Sequence, residues 1–231
     1  MKDSEFDRFA KEYRKTLAEN ITASGEAPEF FAEYKIADVA RHVRESNISA
    51  ENILDFGCGV GNSIPYFRKY FPSSKLVGAD ISRDSLALAG EQFGLDADFV
   101  TIEEENGINA PDASFDVLFS ACVFHHIPHS SHDYWLSELR RIARPNAMLV
   151  IFEHNPWNPL TVHAVNTCEF DVNAHLITPF ALQAAMKRAG WTNSRHEYRI
   201  FFPKSMASLR VFEKYLKWLP LGAQHAVIAR A

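Results

Sequence analysis

From Asn52 onward, short apolar runs alternate with amphipathic stretches, and this rhythm constrains the fold more than any other feature of the chain. NILDF, SIPYFRKYF, LVGAD, SLALAGEQF, ADFV and FDVLFSA follow one another in that order. Continuous apolar runs suit strands covered on both faces, and amphipathic stretches between them suit helices laid across the sheet, so the pattern predicts βαβαβ with parallel strands. It continues with a helix near Tyr134 to Ile142, a stop signal at Arg144, Pro145 and Asn146, and the strand AMLVIFE. A helix around Thr178 to Ala189 then ends at Gly190, HEYRIFF from His196 alternates like a half-exposed strand, and Pro203 opens an amphipathic helix through about Trp218. Leu219, Pro220, Leu221 and Gly222 turn the chain into AQHAVIARA, a last strand. The expected fold is α/β: a doubly wound, mostly parallel seven-stranded sheet with an antiparallel C-terminal edge strand.

Two segments fall outside the rhythm. Residues 1–48 read as two helices joined by ENITASGEAPE, an N-terminal helical cap, and residues 154–178 are rich in Asn, His and Pro. With 47% hydrophobic and 23% charged residues among 231, the chain suits a single domain. Its expected parts are the cap, a ligand-binding core at 49–153, the 154–178 insertion, and the C-terminal part of the sheet at 179–231. The net charge of −5 and the lack of a basic window exclude nucleic acid as an expected partner. The charged opening MKDSEFDRFAKEYRK has no leader character and no run is long enough to span a bilayer. A cytoplasmic monomer or homodimer without stable membrane insertion is therefore expected. Cys58, Cys122 and Cys168 are too widely spaced for a metal knuckle and read as reduced thiols.

The residues richest in chemistry run from Ile53 to Asn62, where an apolar strand enters three glycines at alternate positions, Gly57, Gly59 and Gly61, and then a helix. Glycines there allow positive φ and close ligand approach, and a helix start supplies unpaired N–H donors. A dinucleotide loop would place its third glycine at position 62, which is Asn62 here, and this spacing disfavours a nicotinamide cofactor. Asp55 before the glycines would repel a pyrophosphate but suits a positive amino group such as that of S-adenosylmethionine. Asp80, closing LVGAD, can accept hydrogen bonds from both ribose hydroxyls of an adenosine, a role compatible with either cofactor. The plainer alternative is a tight turn with both aspartates as helix caps.

The chain resembles the class I S-adenosylmethionine-dependent methyltransferases, in particular the group of the ubiquinone and menaquinone biosynthesis enzymes. DFGCGVGN resembles the first motif of that family, LVGADIS the second, PDASFDVLFSACVFHHI the fourth-strand motif, and LRRIARPNAMLVIFE the fifth-strand motif. The resemblance covers residues 50–155, and FDRFAKEYRK is similar to the family's cofactor-covering helix. It implies methyl transfer from S-adenosylmethionine, leaving S-adenosylhomocysteine. The implied cofactor contacts are Tyr13, Asp55, Gly57, Cys58, Gly59, Asn62, Asp80, Ile81 and Ser120. Glu103 or Glu104 in TIEEENGI stands where the family commonly has Gly-Asp-Ala.

The acceptor is expected at the carboxyl ends of the strands, and is a small molecule. In-line displacement from a sulfonium needs alignment above all. For a hydroxyl acceptor a histidine can take the proton, so His126 and His154 are the catalytic candidates, with His125 beside them and packing as the alternative role. His126, His129 and His132 recur at every third position, but no carboxylate partner is fixed by the sequence, and no metal is expected. The polar 154–178 segment points to O-methylation of a sugar or lipid-linked metabolite. The alternative is a non-catalytic S-adenosylmethionine sensor or partner subunit. Phe30, Phe31, Tyr34 and Ile36 are read as either a lid face or core packing.

Overall fold

The structure, a computed structural model, describes residues 25–103, 106–168, 171 and 173–231. The strands are β1 (Asn52–Phe56), β2 (Lys75–Asp80), β3 (Asp98–Glu103), β4 (Gly107–Ile108), β5 (Phe115–Ala121), β6 (Ala143–His154), β7 (Thr192–Arg199) and β8 (Gln224–Arg230). In β1, Ile53 and Leu54 belong to different apolar layers, which is why NILDF carries no polar residue before Asp55 except its first. β1 pairs in parallel with β2 on one side and β5 on the other, β2 continues to β3, and β5 to β6. Among the described residues the sheet order is β4-β3-β2-β1-β5-β6-β8-β7. The doubly wound sheet is as expected, with two refinements. The last strand runs antiparallel between β6 and β7 rather than outermost, and the two-residue β4 adds an antiparallel pairing with β3.

Helices cover both faces. α1 (Pro28–Glu45), α2 (Ile64–Tyr70) and α3 (Arg83–Phe93) contribute Ile36, Val39, Phe67 and Phe93 to one layer with Ile53, Val117 and Val150. α4 (His132–Ile142) and α6 (Pro179–Arg188) contribute Leu136, Leu139, Leu182 and Met186 to the other, with Leu54, Leu118 and Ile151. Between β6 and α6 lies α5 (Pro159–Asn166), started by Asn158, whose side-chain oxygen accepts from Leu160 N and Thr161 N. α1 is the second helix expected in the N-terminal segment, and the first lies outside the described residues. Ile36 is fully buried in the core, while Phe30, Phe31 and Tyr34 sit half-buried at the helix start. No helix among the described residues is long and apolar enough to cross a membrane.

Three sequence-based boundaries shift for local reasons. The Arg144-Pro145-Asn146 stop becomes a register irregularity inside β6, with Asn146 at φ 67° and strand pairing resuming at Met148. β7 begins four residues before His196 and ends where Ile200 takes φ 64°, after which the Glu213 carboxylate accepts both Phe201 N and Phe202 N. The expected helix after Pro203 is a 3-10 segment (Lys204–Phe212), broken at Met206, leading into the four-residue α7 (Glu213–Leu216). No residue in either piece is buried, so no packed face holds the segment in a regular α-helix.

An ion network locks α1 to β7. Arg199, with 2% of its side chain exposed, donates to Asp38 Oδ2 through Nε (3.0 Å) and Nη2 (2.9 Å) and also contacts Glu197. Burial opposes the charge on Asp38, but the His42 hydrogen bond and the Arg199 charge outweigh it and hold its carboxyl far below the usual range. Burial also opposes the Glu197 charge, which Arg199 and Lys217 overcome, bringing it down to about 2. Replacing Arg199 with Met removes a buried partner of both Asp38 and Glu197 but leaves Arg41 and Lys217 beside them, and we expect a loss of about 1.5–3 kcal/mol in urea unfolding. Both folded-state values lie below the unfolded ones, near 4. The network's contribution is therefore complete above about pH 4 and lost as pH falls toward 2, a steepness that should be reduced in the Arg199→Met protein.

Candidate functional site

The strand order reverses direction on the two sides of β1, and the crevice at that reversal receives polar residues from several strand ends: Asp55 from β1, Asp80 from β2, Ser120 from β5, and Glu153 with His154 from β6. The turn after β1 is pinned to β2. Gly57 N and Cys58 N donate to Ala79 O at 2.7 and 3.1 Å, and Gly59 N donates to Asp80 Oδ2 at 2.8 Å. The other oxygen of Asp80 accepts Ser82 N at 2.8 Å, and Ser82 Oγ in turn caps α3 by accepting Ser85 N. Asp80 is thus a brace between two turns rather than a helix cap.

The three glycines are required for different reasons. All have positive φ, but a Cβ on Gly57 would lie 2.3 Å from a methyl of Val123 and one on Gly61 would lie 2.8 Å from the Phe93 ring. A Cβ on Gly59 would meet nothing within 4 Å, so the turn opens to a ligand there. The Cys58 thiol is buried and packs toward Gly78, leaving only its backbone at the turn.

Asp55 is 2% exposed, and its Oδ2 has no hydrogen-bond partner. Burial, reinforced by the Asp80 charge and opposed by Lys35 of α1, pushes its carboxyl up to about 8. An orphaned buried acid of this kind calls for a donor or a cation from outside the protein. Ser120 is fully buried, with its Oγ also unpartnered. Ile81 is 36% exposed just past β2, a free apolar surface at the rim. Glu103 ends β3 on the exposed side, where it accepts from Asn106 Nδ2 at 2.7 Å. Asn62 is half-buried in the turn, and Tyr13 and Glu104 lie outside the described residues.

A second cluster adjoins the first through Val123, whose side chain packs on Gly57. Glu153, fully buried, accepts Val123 N (3.1 Å) and Phe124 N (2.7 Å) with Oε1 and pairs with His125 Nδ1 (2.6 Å) through Oε2. The other nitrogen of His125 faces Asp171 Oδ1 at 3.3 Å, and His126 Nε2 lies 3.4 Å from that same oxygen. The ring of His154 is 5.2 Å from that of His125. Burial alone would lower the His125 value, yet Glu153 and Asp171 outweigh it and raise it to about 10, while Glu153, despite its own burial, is brought down to about 2. His126 moves the opposite way, to about 4, through burial and the adjacent His125 charge. Cys122, at φ 59°, receives Lys35 Nζ and Gln224 Nε2 at 3.6 Å each; burial raises its thiol, but Lys35 and His154 bring it down to about 7.

The structure therefore brings His126 and His154 together, but around His125, Glu153 and Asp171. The three-residue histidine spacing brings the His129 and His132 rings to 5.0 Å, but His132 Nε2 is committed to the Phe124 and Ile127 carbonyls. Lys35 and Asp171 were invisible to sequence reasoning, one reading as ordinary helix charge and the other lying in an aperiodic polar stretch.

Residues 53–146 match the family model described as a methyltransferase domain. Over that segment the chain is similar to S-adenosylmethionine-dependent methyltransferases. It is 32% identical over 96 residues to trans-aconitate 2-methyltransferase of Afipia carboxidovorans, covering 42% of this chain and 34% of that protein. Against demethylmenaquinone methyltransferase of Thermus thermophilus the identity is 29% over 109 residues, 46% of this chain and 48% of the relative. In both cases the chain spans less than half of the relative's length. A SAM-dependent methyltransferase structure from Archaeoglobus fulgidus shares the fold, with a TM-score of 0.62 and 16% identity over 85% of this chain and 94% of that one.

The residues present fit S-adenosylmethionine, the methyl donor of the proteins the chain resembles. The unpartnered Asp55 oxygen suits its ammonium group, the open face of Gly59 admits a ligand against the backbone, and Asp80 retains acceptor capacity for ribose hydroxyls. Replacing Asp80 with Ala removes the brace and an acceptor together. We expect S-adenosylmethionine affinity, measured by calorimetry, to fall roughly 10- to 150-fold, the value of charge-assisted hydrogen bonds. His125 should remain protonated across the neutral range in NMR titration. Because its folded value of about 10 lies above the ordinary 6.5, its contribution to stability is complete below about pH 6.5 and lost as pH rises through 10.

Proposed function

We propose that the chain transfers the methyl group of S-adenosylmethionine to an oxygen of a small hydroxyl-bearing metabolite, a sugar or a lipid-linked acceptor, with His126 and His154 handling the proton. The observation that carries this reading is the imidazole cluster of His125, His126 and His154 beside the glycine turn, joined to it by Val123. When bound, the cofactor supplies an electrophilic methyl carbon on a positively charged sulfur. Asp55, Gly59 and Asp80 fix the position of that end of the crevice, and much of the acceleration of an in-line displacement comes from such positioning.

A hydroxyl acceptor loses its proton as it is methylated. His126 is neutral at neutral pH, because burial and the His125 charge hold its value near 4, and a neutral imidazole is the form that can take up a proton. His154 stands at the end of β6 on the same rim. His125 itself is held by two carboxylates and serves to orient its neighbours. The names of the relatives, one for trans-aconitate and one for demethylmenaquinone, support a small-molecule acceptor class.

The test is incubation with methyl-labelled S-adenosylmethionine and separate pools of hydroxylated, amine and carboxylate metabolites, read by mass spectrometry. The label is expected on hydroxyl oxygen. His154→Ala and His126→Ala should each lower kcat, by about 100-fold or more for the residue acting as base, with cofactor affinity retained. Label on nitrogen alone would overturn the oxygen reading. Bound cofactor without product from any pool would favour a binding module instead.

A further inference from the structure

We propose that His125, His154 and Asp171 form a site for a first-row divalent transition-metal ion. One nitrogen from each histidine and one oxygen of Asp171 already lie within 4.8 Å of one another. Zinc-type bonds of about 2.0–2.1 Å at tetrahedral angles place ligand atoms roughly 3.3–3.4 Å apart. The His125 Nε2 to Asp171 Oδ1 distance of 3.3 Å is such an edge, as is the 3.4 Å from His126 Nε2 to the same oxygen. His154, at the end of its strand, closes the set within the same 4.8 Å.

The surroundings of His125 have the form that metal-bound histidines require. Glu153 engages Nδ1 at 2.6 Å and is itself fixed by two backbone N–H groups, so Nε2 is the atom left facing Asp171. A carboxylate behind the imidazole orients the ring and strengthens it as a donor. Two carboxylates converging on one buried ring also demand positive charge between them. A proton on Nε2 answers that demand, and a divalent ion answers it better by displacing that proton. Two imidazoles with one carboxylate select transition metals over magnesium or calcium, and three protein ligands leave a position open.

That open position deepens the reading given above, on which this part of the inference rests, and narrows it: His154 holds the ion and the proton falls to His126 alone. An acceptor hydroxyl bound to the ion would be a stronger acid, and its oxygen a better nucleophile at neutral pH. His126, on the rim of the same cluster, then remains to receive the proton, which passes from the hydroxyl to its ring nitrogen.

The experiment titrates the full chain, stripped with a chelator, with Co2+ followed by visible absorption and with Zn2+ by competition, while calorimetry follows S-adenosylmethionine separately. One equivalent is expected to bind. His154→Ala and Asp171→Asn should weaken it at least tenfold, and Glu153→Gln about 10- to 100-fold, with circular dichroism showing each variant folded. No cobalt uptake by the folded wild type, or equal uptake by the His154 and Asp171 variants, overturns the site. Cobalt bound at these residues without oxygen-methylated product would sustain the site and remove the acceptor reading. Equal rates of oxygen methylation by stripped and metal-loaded protein would overturn the role assigned to the ion.

Discussion

The Asp80 carboxylate is the interaction on which the cofactor half of the molecule depends. Its two oxygens take the Gly59 and Ser82 N–H groups, so one side chain sets the shape of the turn after β1 and the entry to α3. A turn with three residues at positive φ is poorly determined by its own sequence, and an external acceptor supplies the missing constraint. The same charge raises the cost of ionising Asp55 beneath it. Asp55 therefore keeps its proton until a cation arrives, and a cationic ligand end that lets it ionise is favoured over an anionic one.

Glu153 repeats the device on the other side of β1's neighbour. It is the last acid of β6, and it holds three consecutive residues, Val123, Phe124 and His125, through two backbone donors and one ring. Val123 is the joint between the halves, because its methyl groups occupy the space a side chain at position 57 would need. The histidine cluster and the cofactor turn thus share one packed boundary at Val123 and Gly57.

The strands and the glycine turn were legible because both signals are local. An apolar run between amphipathic stretches has few other solutions, and alternate glycines after a strand specify a turn that ligands approach. The boundaries of β7 and of the segment after Pro203 were not, since Glu213 decides them from a distance and nothing packs on the exposed pieces. Within the site, Asp55 and Asp80 announced themselves by position. Which of two adjacent histidines turns inward does not follow from a pattern, because a 3-10 turn at Phe124–His126 has no repeating face. Lys35 reaches Cys122 across 87 positions of sequence, and Asp171 reaches His125 across 46, distances that no local window contains.

The sources of the crevice have a consequence for how the chain acquires it. Asp55, Asp80, Cys122, Glu153 and Gln224 come from β1, β2, the end of β5, β6 and β8, and β8 slots between two strands made earlier. Contacts of such long range form slowly, because much chain entropy is surrendered before they are rewarded. The crevice should thus be completed only when β8 inserts between β6 and β7, and removal of β8 should abolish it rather than trim it.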